Sequence, residues 1–158
     1  KALAGGLLPF AATLVSERIF DGFLGEPERA FFYGHTYCGN PLGARVALEV
    51  LRVYDEERVL EGARARAAVV ARAFENLLAI PGVTRTRALG MIGAADLGVR
   101  AGYLEPVGQR VYREALARGA YLRPLGNTVY VAPPLNIPED DLSELLDIVE
   151  ASVRAALA

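Results

Sequence analysis

The sequence predicts an α/β chain that ends in a small α+β unit. Apolar residues recur at three- and four-residue steps over residues 41–54 and 59–77, which is typical of amphipathic helices. After Pro81 the pattern changes to that of short strands. Two further helices are predicted, over residues 106–118 and from Pro138 onward, so we expect helices packed on one face of a small sheet.

Composition and charge exclude several classes of partner. The 158 residues are 53% hydrophobic and 23% charged with a formal net charge of -2, which is typical of a globular chain with its own core. The arginines are scattered along the sequence, so no basic surface for nucleic acids or anionic membranes is predicted. The single cysteine, Cys38, excludes an intrachain disulfide and favours a reduced, cytoplasmic setting.

The first third of the chain is predicted to hold one long helix. Residues 7–16 form a short apolar run after two glycines, which favours a buried strand or hairpin, and a short helix is expected from Ser16 to about Leu24. Asn40 and Pro41 suit an N-cap and a first helical position, because the Asn side chain accepts from a free backbone N–H and proline has none to leave unpaired. The apolar face of the long helix is predicted to comprise Ala44, Ala47, Leu48, Leu51 and Tyr54.

The rest of the chain is predicted to alternate strands and helices. Strands are expected at residues 83–89 and 91–97, joined at a glycine. The helix that follows is expected to end at Gly119, because glycine adopts the left-handed conformation of a C-cap without strain. Residues 121–123 and 129–131 are predicted to be two further strands on either side of a Pro-Leu-Gly-Asn turn.

Lys1 is the first residue with a candidate chemical role. It is the only lysine, and it precedes a glycine-rich apolar segment. A desolvated, neutral lysine amine is a nucleophile that forms Schiff bases with carbonyl compounds. By composition alone, a surface lysine at a frayed terminus is the commoner case.

The loop G-H-T-Y-C-G-N-P, from Gly34 to Pro41, is the second candidate. It combines the hydroxyl of Thr36, glycines that permit a close backbone approach, and free N–H groups ahead of a helix, an arrangement suited to a phosphate group. Taken alone, the same pattern also describes an ordinary capped helix. His35 and Cys38 supply only two possible metal ligands without a second pair in the sequence, so no metal site is predicted.

Arg123 and Tyr130 are the third candidate. Arg123 directly precedes the predicted turn, where a planar guanidinium can bind a carboxylate through two parallel N–H donors. A surface ion pair is the alternative role for this arginine. Tyr130 is expected either in the core, with its hydroxyl hydrogen-bonded, or in the wall of a pocket.

Three sequence blocks occur in the order typical of one enzyme family. They are K-A-L-A-G-G-L-L-P-F-A-A-T-L, F-F-Y-G-H-T-Y-C-G-N-P-L-G-A and Y-L-R-P-L-G-N-T-V-Y-V-A-P-P-L. Over essentially its whole length the chain resembles the C-terminal part of class III pyridoxal-phosphate aminotransferases. Within that family it is most similar to the members of biotin biosynthesis, which transfer an amino group from S-adenosylmethionine to 8-amino-7-oxononanoate and produce 7,8-diaminononanoate.

The resemblance implies the C-terminal part of a fold-type-I transferase. Residues 1–54 would be the end of the large domain that binds pyridoxal 5'-phosphate. Residues 55–80 would be a connecting helix, and residues 81–158 the small C-terminal α+β domain.

The resemblance also implies a role for each candidate residue. Lys1 matches the lysine that holds the cofactor covalently and later moves a proton. Thr36 and the backbone of His35 match the position that binds the cofactor phosphate of the neighbouring subunit, although the family often has proline or threonine in place of His35. Three residues match substrate-binding positions: Gly34, Arg123 and Tyr130. Among these, Arg123 matches the residue that binds the carboxylate of the acceptor.

An incomplete site and a homodimer follow from the same resemblance. The family's pyridinium-binding aspartate, phosphate cup and ring-stacking aromatic precede the lysine, so the 158 residues alone are expected to be inactive. The active protein is expected to be a homodimer with shared sites. Two alternatives stay open: another class III ω-amino-acid transaminase that uses pyruvate or 2-oxoglutarate, or a non-catalytic dimerisation module.

Overall fold

Five α-helices and three β-strands make up the part of the chain that the computed structural model describes, residues 2–98 and 106–158. The helices are α1 (Glu17–Phe20), α2 (Pro41–Glu56), α3 (Val59–Leu77), α4 (Pro106–Ala117) and α5 (Glu139–Leu157). The strands are β1 (Val83–Leu89), β2 (Ile92–Leu97) and β3 (Thr128–Val131). The chain divides into two units, Lys1–Glu57 and Arg58–Ala158.

In the first unit, the segment that precedes α1 packs on α2. Ala4 is fully buried, and the Phe10 ring lies against Gly43, where an added Cβ would come within 2.7 Å of the ring carbon Cδ2. Gly43 and Ala47 are the buried residues of α2. Small residues at these two positions therefore let the N-terminal segment approach the helix axis closely.

The predicted strand or hairpin at residues 7–16 is wrong. Residues 9–16 have no regular secondary structure, and the side chain of Leu14 is 90% exposed. A strand needs a neighbouring strand to pair its backbone groups, and the three described strands all belong to the second unit. The apolar run at residues 7–16 therefore did not suffice to predict a strand, because no described strand pairs with it.

The predicted start of α2 is confirmed, whereas most of its predicted apolar face is exposed. Asn40 Oδ1 accepts a hydrogen bond from the backbone N–H of Leu42 at 3.0 Å, and Pro41 is the first helical residue. Leu48 and Leu51 are more than half exposed, so the face that packs within this unit is the one that contains Gly43. The short helix expected from Ser16 is also present, as α1 and a following 3-10 turn.

The second unit is a three-stranded antiparallel sheet with helices on one face. The strand order is β1-β2-β3, and β1 and β2 form the predicted hairpin at Gly90. Helix α3 packs on β1 and β2, and the ring of Phe74 lies so close to Gly93 that a Cβ there would overlap it. The α+β architecture expected after Pro81 is confirmed. Helix α3 adds Val70 and Phe74 to its core. The core residues that are at most 1% exposed include Val70, Phe74, Leu97, Val111, Val129, Leu142, Val149 and Val153.

The predicted strand at residues 121–123 is wrong. Leu125 and Thr128 exchange two backbone hydrogen bonds of 2.8 and 3.0 Å around Gly126 and Asn127, and the pairing stops there. The preceding residue, Pro124, has no N–H with which to continue a ladder. The strand–turn–strand pattern is therefore reduced to a tight turn followed by β3.

The Gly126–Asn127 turn is held from two sides. The Leu97 N–H at the end of β2 donates to the Asn127 carbonyl at 2.8 Å, and the Asn127 side-chain amide donates to the Leu97 carbonyl at 2.9 Å. On the other side Gly108 of α4 lies against the Gly126 carbonyl, and an added Cβ would also be 3.0 Å from Pro124 Cβ. Because these neighbours are backbone and a proline ring, a larger residue at position 108 cannot be accommodated by a side-chain rotation.

The face of the sheet opposite the helices carries a polar network. Arg87 Nη1 donates to Asp96 Oδ2 at 2.7 Å, and Thr128 Oγ1 donates to Asp96 Oδ1 at 2.7 Å, so the carboxylate links all three strands. Partial burial raises the pKa of the Asp96 carboxyl, but the hydrogen bonds from Arg87 and Thr128 and the charges of Arg87 and Arg85 lower it by more. The pKa of Asp96 therefore lies below its ordinary value of 3.8.

Replacing Gly108 by alanine is expected to destabilise the protein by about 1–3 kcal/mol, because α4 must move away from the Gly126 turn. The matched control is Gly62→Ala in α3, where the atoms nearest the added Cβ belong to the guanidinium end of the Arg66 side chain, which can rotate away. Alanine should stabilise that helix by about 0.5–1 kcal/mol. Urea unfolding followed by far-UV circular dichroism measures both changes, and equal effects of the two variants would contradict the close contact between Gly108 and the Gly126 turn.

Replacing Asp96 by asparagine should remove a pH-dependent part of the stability. A carboxyl whose pKa is lowered by folding stabilises the native state above its unfolded pKa, and this contribution is lost as the pH falls through the folded pKa. The difference in unfolding free energy between wild type and Asp96→Asn should be constant near neutral pH and shrink below about pH 3.8. Its size should stay below about 1 kcal/mol, since Arg87 is 44% exposed.

The control for this pH series is Glu150→Gln, which removes an ion pair from the exposed face of α5. Unfolding curves of the three proteins at several pH values provide the measurement. A difference for Asp96→Asn that persists unchanged at acidic pH would show that the carboxylate charge plays no part.

Candidate functional site

The candidate residues fall into two groups, one in each unit. Gly34, His35 and Thr36 lie in the first unit, on the loop that leads into α2. Arg123 and Tyr130 lie in the second unit, on either side of the Gly126–Asn127 turn. Lys1 lies outside the described residues.

The loop of the first group is a turn closed by its own residues. The Cys38 N–H donates to the His35 carbonyl at 2.9 Å, and the His35 N–H points to Cys38 Sγ at 3.4 Å. The Tyr37 N–H donates to His35 Nδ1 at 3.2 Å, so the imidazole is turned back on its own loop with Nδ1 as the acceptor. His35 therefore helps to shape the turn and is exposed to solvent.

Thr36 has free hydrogen-bonding groups at the outside of this turn. Within residues 2–98 and 106–158, neither its backbone N–H nor its hydroxyl has a hydrogen-bond partner, and the residue is exposed. Gly39, with φ of +71°, then turns the chain into the Asn40 cap. The loop thus presents two neutral donors next to a helix start, which is a donor set that suits a phosphate group.

An open cavity with a volume of about 960 Å³ lies between this loop and the segment before α1. His35 lines it, whereas Gly34 and Thr36, on the same loop, do not. Residues 6–11 line one side of the cavity. His35 and residues 37–40 line the other side. Residues 37–39 belong to the predicted loop, but no individual role was predicted for them, because their place on the wall depends on how the N-terminal segment packs on α2.

An exposed group of aromatic rings precedes Gly34. The ring centroids of Phe23 and Phe31 are 5.7 Å apart, as are those of Phe31 and Tyr33. These three side chains are 45%, 69% and 78% exposed, respectively, and the neighbouring Phe32 is 88% exposed. A contiguous apolar surface of this kind is typical of a region that another protein surface covers.

In the second group, Arg123 is exposed and Tyr130 is half-buried. Within the described residues no carboxylate lies within ion-pairing distance of Arg123, so its guanidinium is available to an external anion. Tyr130 lies in β3 directly opposite Ala94 of β2, on the sheet face that carries Asp96 and not on the face that carries the core. This position favours the pocket-wall role over the core role.

Sequence reasoning missed the network of Arg87, Asp96 and Thr128. The alternation T-R-T-R at residues 84–87 indicates a strand with one charged face. The pairing register that brings Asp96 and Thr128 opposite each other depends on the hairpin and the Gly126–Asn127 turn. It could not be deduced from the spacing of the residues along the chain.

Two classes of site find no support in the described residues. No three histidine, cysteine, aspartate or glutamate side chains of residues 2–98 and 106–158 form a group that could hold a metal ion. Over the same residues, no helix has the length and apolar character needed to cross a membrane.

Comparison with known proteins gives the same family over nearly the whole chain. The family model of class-III aminotransferases matches residues 1–153. The adenosylmethionine-8-amino-7-oxononanoate aminotransferase of Nitratidesulfovibrio vulgaris is 42% identical over 98% of this chain, which covers 30% of that protein. The homologous protein of the same name from Geobacter sulfurreducens is 37% identical over 98% of this chain and is covered to 36%.

Solved structures agree with the sequence relatives. The crystal structure of adenosylmethionine-8-amino-7-oxononanoate aminotransferase from Methanocaldococcus jannaschii matches 97% of this chain with a TM-score of 0.86 at 31% identity, and 37% of that chain is covered. An amine transaminase from an uncultivated Pseudomonas species, in its pyridoxal-phosphate-bound form, matches 98% of this chain at 27% identity with the same TM-score of 0.86, and 37% of it is covered.

The chain spans about a third of the length of the curated relatives it matches. Its mixed helix and strand content and three-stranded sheet correspond to part of a fold-type-I aminotransferase, as expected. The match of the family model to residues 1–153 and the identity of 42% to a curated member lead to one conclusion: this chain belongs to the class-III aminotransferase family.

Proposed function

We propose that the protein containing this chain is a pyridoxal-phosphate-dependent aminotransferase of biotin biosynthesis. It transfers an amino group from S-adenosylmethionine to 8-amino-7-oxononanoate in two half-reactions. The observation that carries this proposal is the 42% identity, over 98% of the chain, to a protein named for this reaction. Arg123, which the family resemblance assigns to the acceptor carboxylate, is exposed, as binding of an oxo acid would require.

The first unit contains the proposed cofactor-binding residues. Thr36 offers its N–H and hydroxyl, both without partners in the described residues, and these donors fit the phosphate group of the cofactor. The backbone of His35 belongs to the same turn. Gly34, which directly precedes His35, is assigned to substrate binding. When bound, pyridoxal 5'-phosphate supplies the electron sink that lets the bonds at the substrate's amino-bearing carbon be broken and remade.

Lys1 is assigned the catalytic role in this proposal. Its Nζ amine holds the cofactor and then accepts the proton from the amino-bearing carbon of the donor, which requires the neutral amine. The assignment comes from the resemblance of the sequence around Lys1 to that family.

The second unit contains the proposed acceptor-binding residues. Arg123 binds the carboxylate of 8-amino-7-oxononanoate through two parallel N–H donors, because its guanidinium is exposed and without an ion pair in the described part of the chain. Tyr130 forms a wall against the aliphatic chain of the acceptor. Its half-buried ring on the open sheet face supports this role.

The active form is proposed to be a cytoplasmic homodimer with shared active sites. The exposed rings of Phe23, Phe31 and Tyr33 next to Gly34 support this assembly, because aromatic surface of this extent is stabilised by burial against another protein surface. In such a dimer, Thr36 binds the cofactor phosphate held by the neighbouring subunit.

A second candidate function is that of another class III amine transaminase with a different donor. The TM-score of 0.86 to an amine transaminase, equal to that of the Methanocaldococcus enzyme, favours keeping it. The amino donor separates the two functions.

The intact protein loaded with pyridoxal 5'-phosphate should react with S-adenosylmethionine in the absence of an acceptor. The donor half-reaction converts the cofactor to its amine form, so the visible absorbance of the loaded protein should fall, and adding 8-amino-7-oxononanoate should restore it. Absorbance spectroscopy measures both steps.

Lys1→Ala is the control for this reaction. The variant should retain the cofactor through its phosphate contacts and lose turnover, because no amine is left to move the proton. An intact protein that is inert to S-adenosylmethionine but loses absorbance with ornithine or β-alanine would overturn the proposed donor and support the second function.

Arg123→Lys is expected to weaken binding of the acceptor. Lysine keeps the charge but cannot offer two parallel donors, and the loss of a charge-assisted hydrogen bond of about 1.5–3 kcal/mol corresponds to a rise in acceptor KM of about 10- to 100-fold. The donor half-reaction should be unchanged. Arg72→Lys, at an exposed position of α3, is the matched control, and an equal acceptor KM for the two variants would contradict the role of Arg123.

A further inference from the structure

We propose that Thr128 is a positioning residue for acceptor recognition, which acts by fixing the ring of Tyr130 over Ala94 through its hydrogen bond to Asp96. The inference rests on the proposed function in one respect, the role of Tyr130 as a wall of the acceptor site. The network that carries it is independent of that role and lies entirely within the second unit.

The register of the sheet places these residues side by side on one face. Asp96 pairs with Thr128, and Ala94 pairs with Tyr130. Thr128 and Tyr130 are two positions apart in β3, so both lie on the face opposite the core. Side chains on the same face of neighbouring strands interact with their direct and diagonal partners. Tyr130 of β3 is therefore directly opposite Ala94 of β2. Ala94 is in turn directly opposite Arg87 of β1.

The burial of Ala94 indicates where the Tyr130 ring lies. Ala94 is only 8% exposed, although Leu89 and Ile92 on the same face are 85% and 52% exposed. A methyl group on an otherwise exposed sheet face is buried only if a neighbouring side chain lies across it. Ala94 has one cross-strand neighbour on each side, Arg87 on β1 and the half-buried Tyr130 on β3. Because the end of the Arg87 side chain is held at Asp96 by a 2.7 Å hydrogen bond, we assign the rest of the cover over Ala94 to the Tyr130 ring.

Asp96 stops the ring from moving toward the other end of the sheet. Its two carboxylate oxygens are occupied by Arg87 Nη1 and Thr128 Oγ1, both at 2.7 Å, so the space diagonal to Tyr130 is filled by a polar cluster fixed from both outer strands. The Thr128 hydroxyl is the member of this cluster that belongs to the same strand as Tyr130. Its hydrogen bond therefore ties the strand, and the ring two residues along it, to β2.

The test compares Thr128→Val with Thr128→Ser in the intact, cofactor-loaded protein. Valine keeps the shape and β-branching of threonine and removes the hydroxyl, while serine keeps the hydroxyl. Thr128→Val should raise the KM for 8-amino-7-oxononanoate, and its dissociation constant in calorimetry, by about 2- to 10-fold, the equivalent of one hydrogen bond. The kcat and the KM for the donor should stay close to wild type, and Thr128→Ser should restore acceptor binding.

A double-mutant cycle with Tyr130→Ala separates positioning from general stability. If Thr128 acts through the ring, Thr128→Val should have no further effect on acceptor KM once the ring is absent. Additive effects of the two substitutions, or an equal decline in acceptor binding for Glu114→Gln, which removes an exposed ion pair from α4, would overturn the inference.

The outcomes also distinguish this inference from the proposed function. A Tyr130→Ala variant with unchanged acceptor KM overturns the inference even if the donor reaction proceeds. A protein that fails to react with S-adenosylmethionine overturns the proposed biotin-pathway reaction, while the cycle can still be measured with whichever oxo acid the enzyme accepts.

Discussion

The arrangement of the second unit depends on one tight turn, Gly126–Asn127. Two hydrogen bonds join Asn127 to Leu97 at the end of β2, and Gly108 brings α4 against the Gly126 carbonyl. The turn is therefore a place where α4 and the end of β2 are held close together. It also sets the start of β3, and through the pairing of β3 with β2 it sets which residues face the core.

Both acceptor-binding candidates, Arg123 and Tyr130, lie close to this turn. Arg123 precedes it by three residues and Tyr130 follows it by three, so neither depends on a long mobile loop for its place. The side chains of binding sites are most precise where rigid elements support them. The same constraint explains why the polar network of Asp96 could form, because Thr128 reaches the carboxylate only in the register that the turn imposes.

Elements with strong local signals were predictable from the sequence, and elements that depend on distant partners were not. The Asn40–Pro41 cap, the hairpin at Gly90 and the helix end at Gly119 follow from residue chemistry within a few positions, and all three were confirmed. The strands predicted at residues 7–16 and 121–123 have the composition of strands, but within residues 2–98 and 106–158 no strand pairs with them, and composition does not supply a partner.

The candidate site was predictable to a similar degree. Thr36 and Arg123 were identified from motifs, and the structure shows that their hydrogen-bonding groups are exposed. The cavity wall at residues 37–39 and the position of Tyr130 opposite Ala94 required the fold, because both result from packing and register. The role of Lys1 remains a prediction, as does the division of the chain at residues 54 and 80.

The two candidate groups differ in what holds them in place. Arg123 and Tyr130 belong to a unit with a continuous buried core, in which Phe74 and Val129 are at most 1% exposed, so their geometry is stabilised within the chain itself. The Thr36 loop is exposed, and the aromatic residues Phe31 and Phe32 just before it are 69% and 88% exposed. Covering those rings with another protein surface would also stabilise the adjoining loop. We therefore expect cofactor phosphate binding to depend on subunit assembly, and recognition of the acceptor to depend chiefly on the internal packing of the second unit.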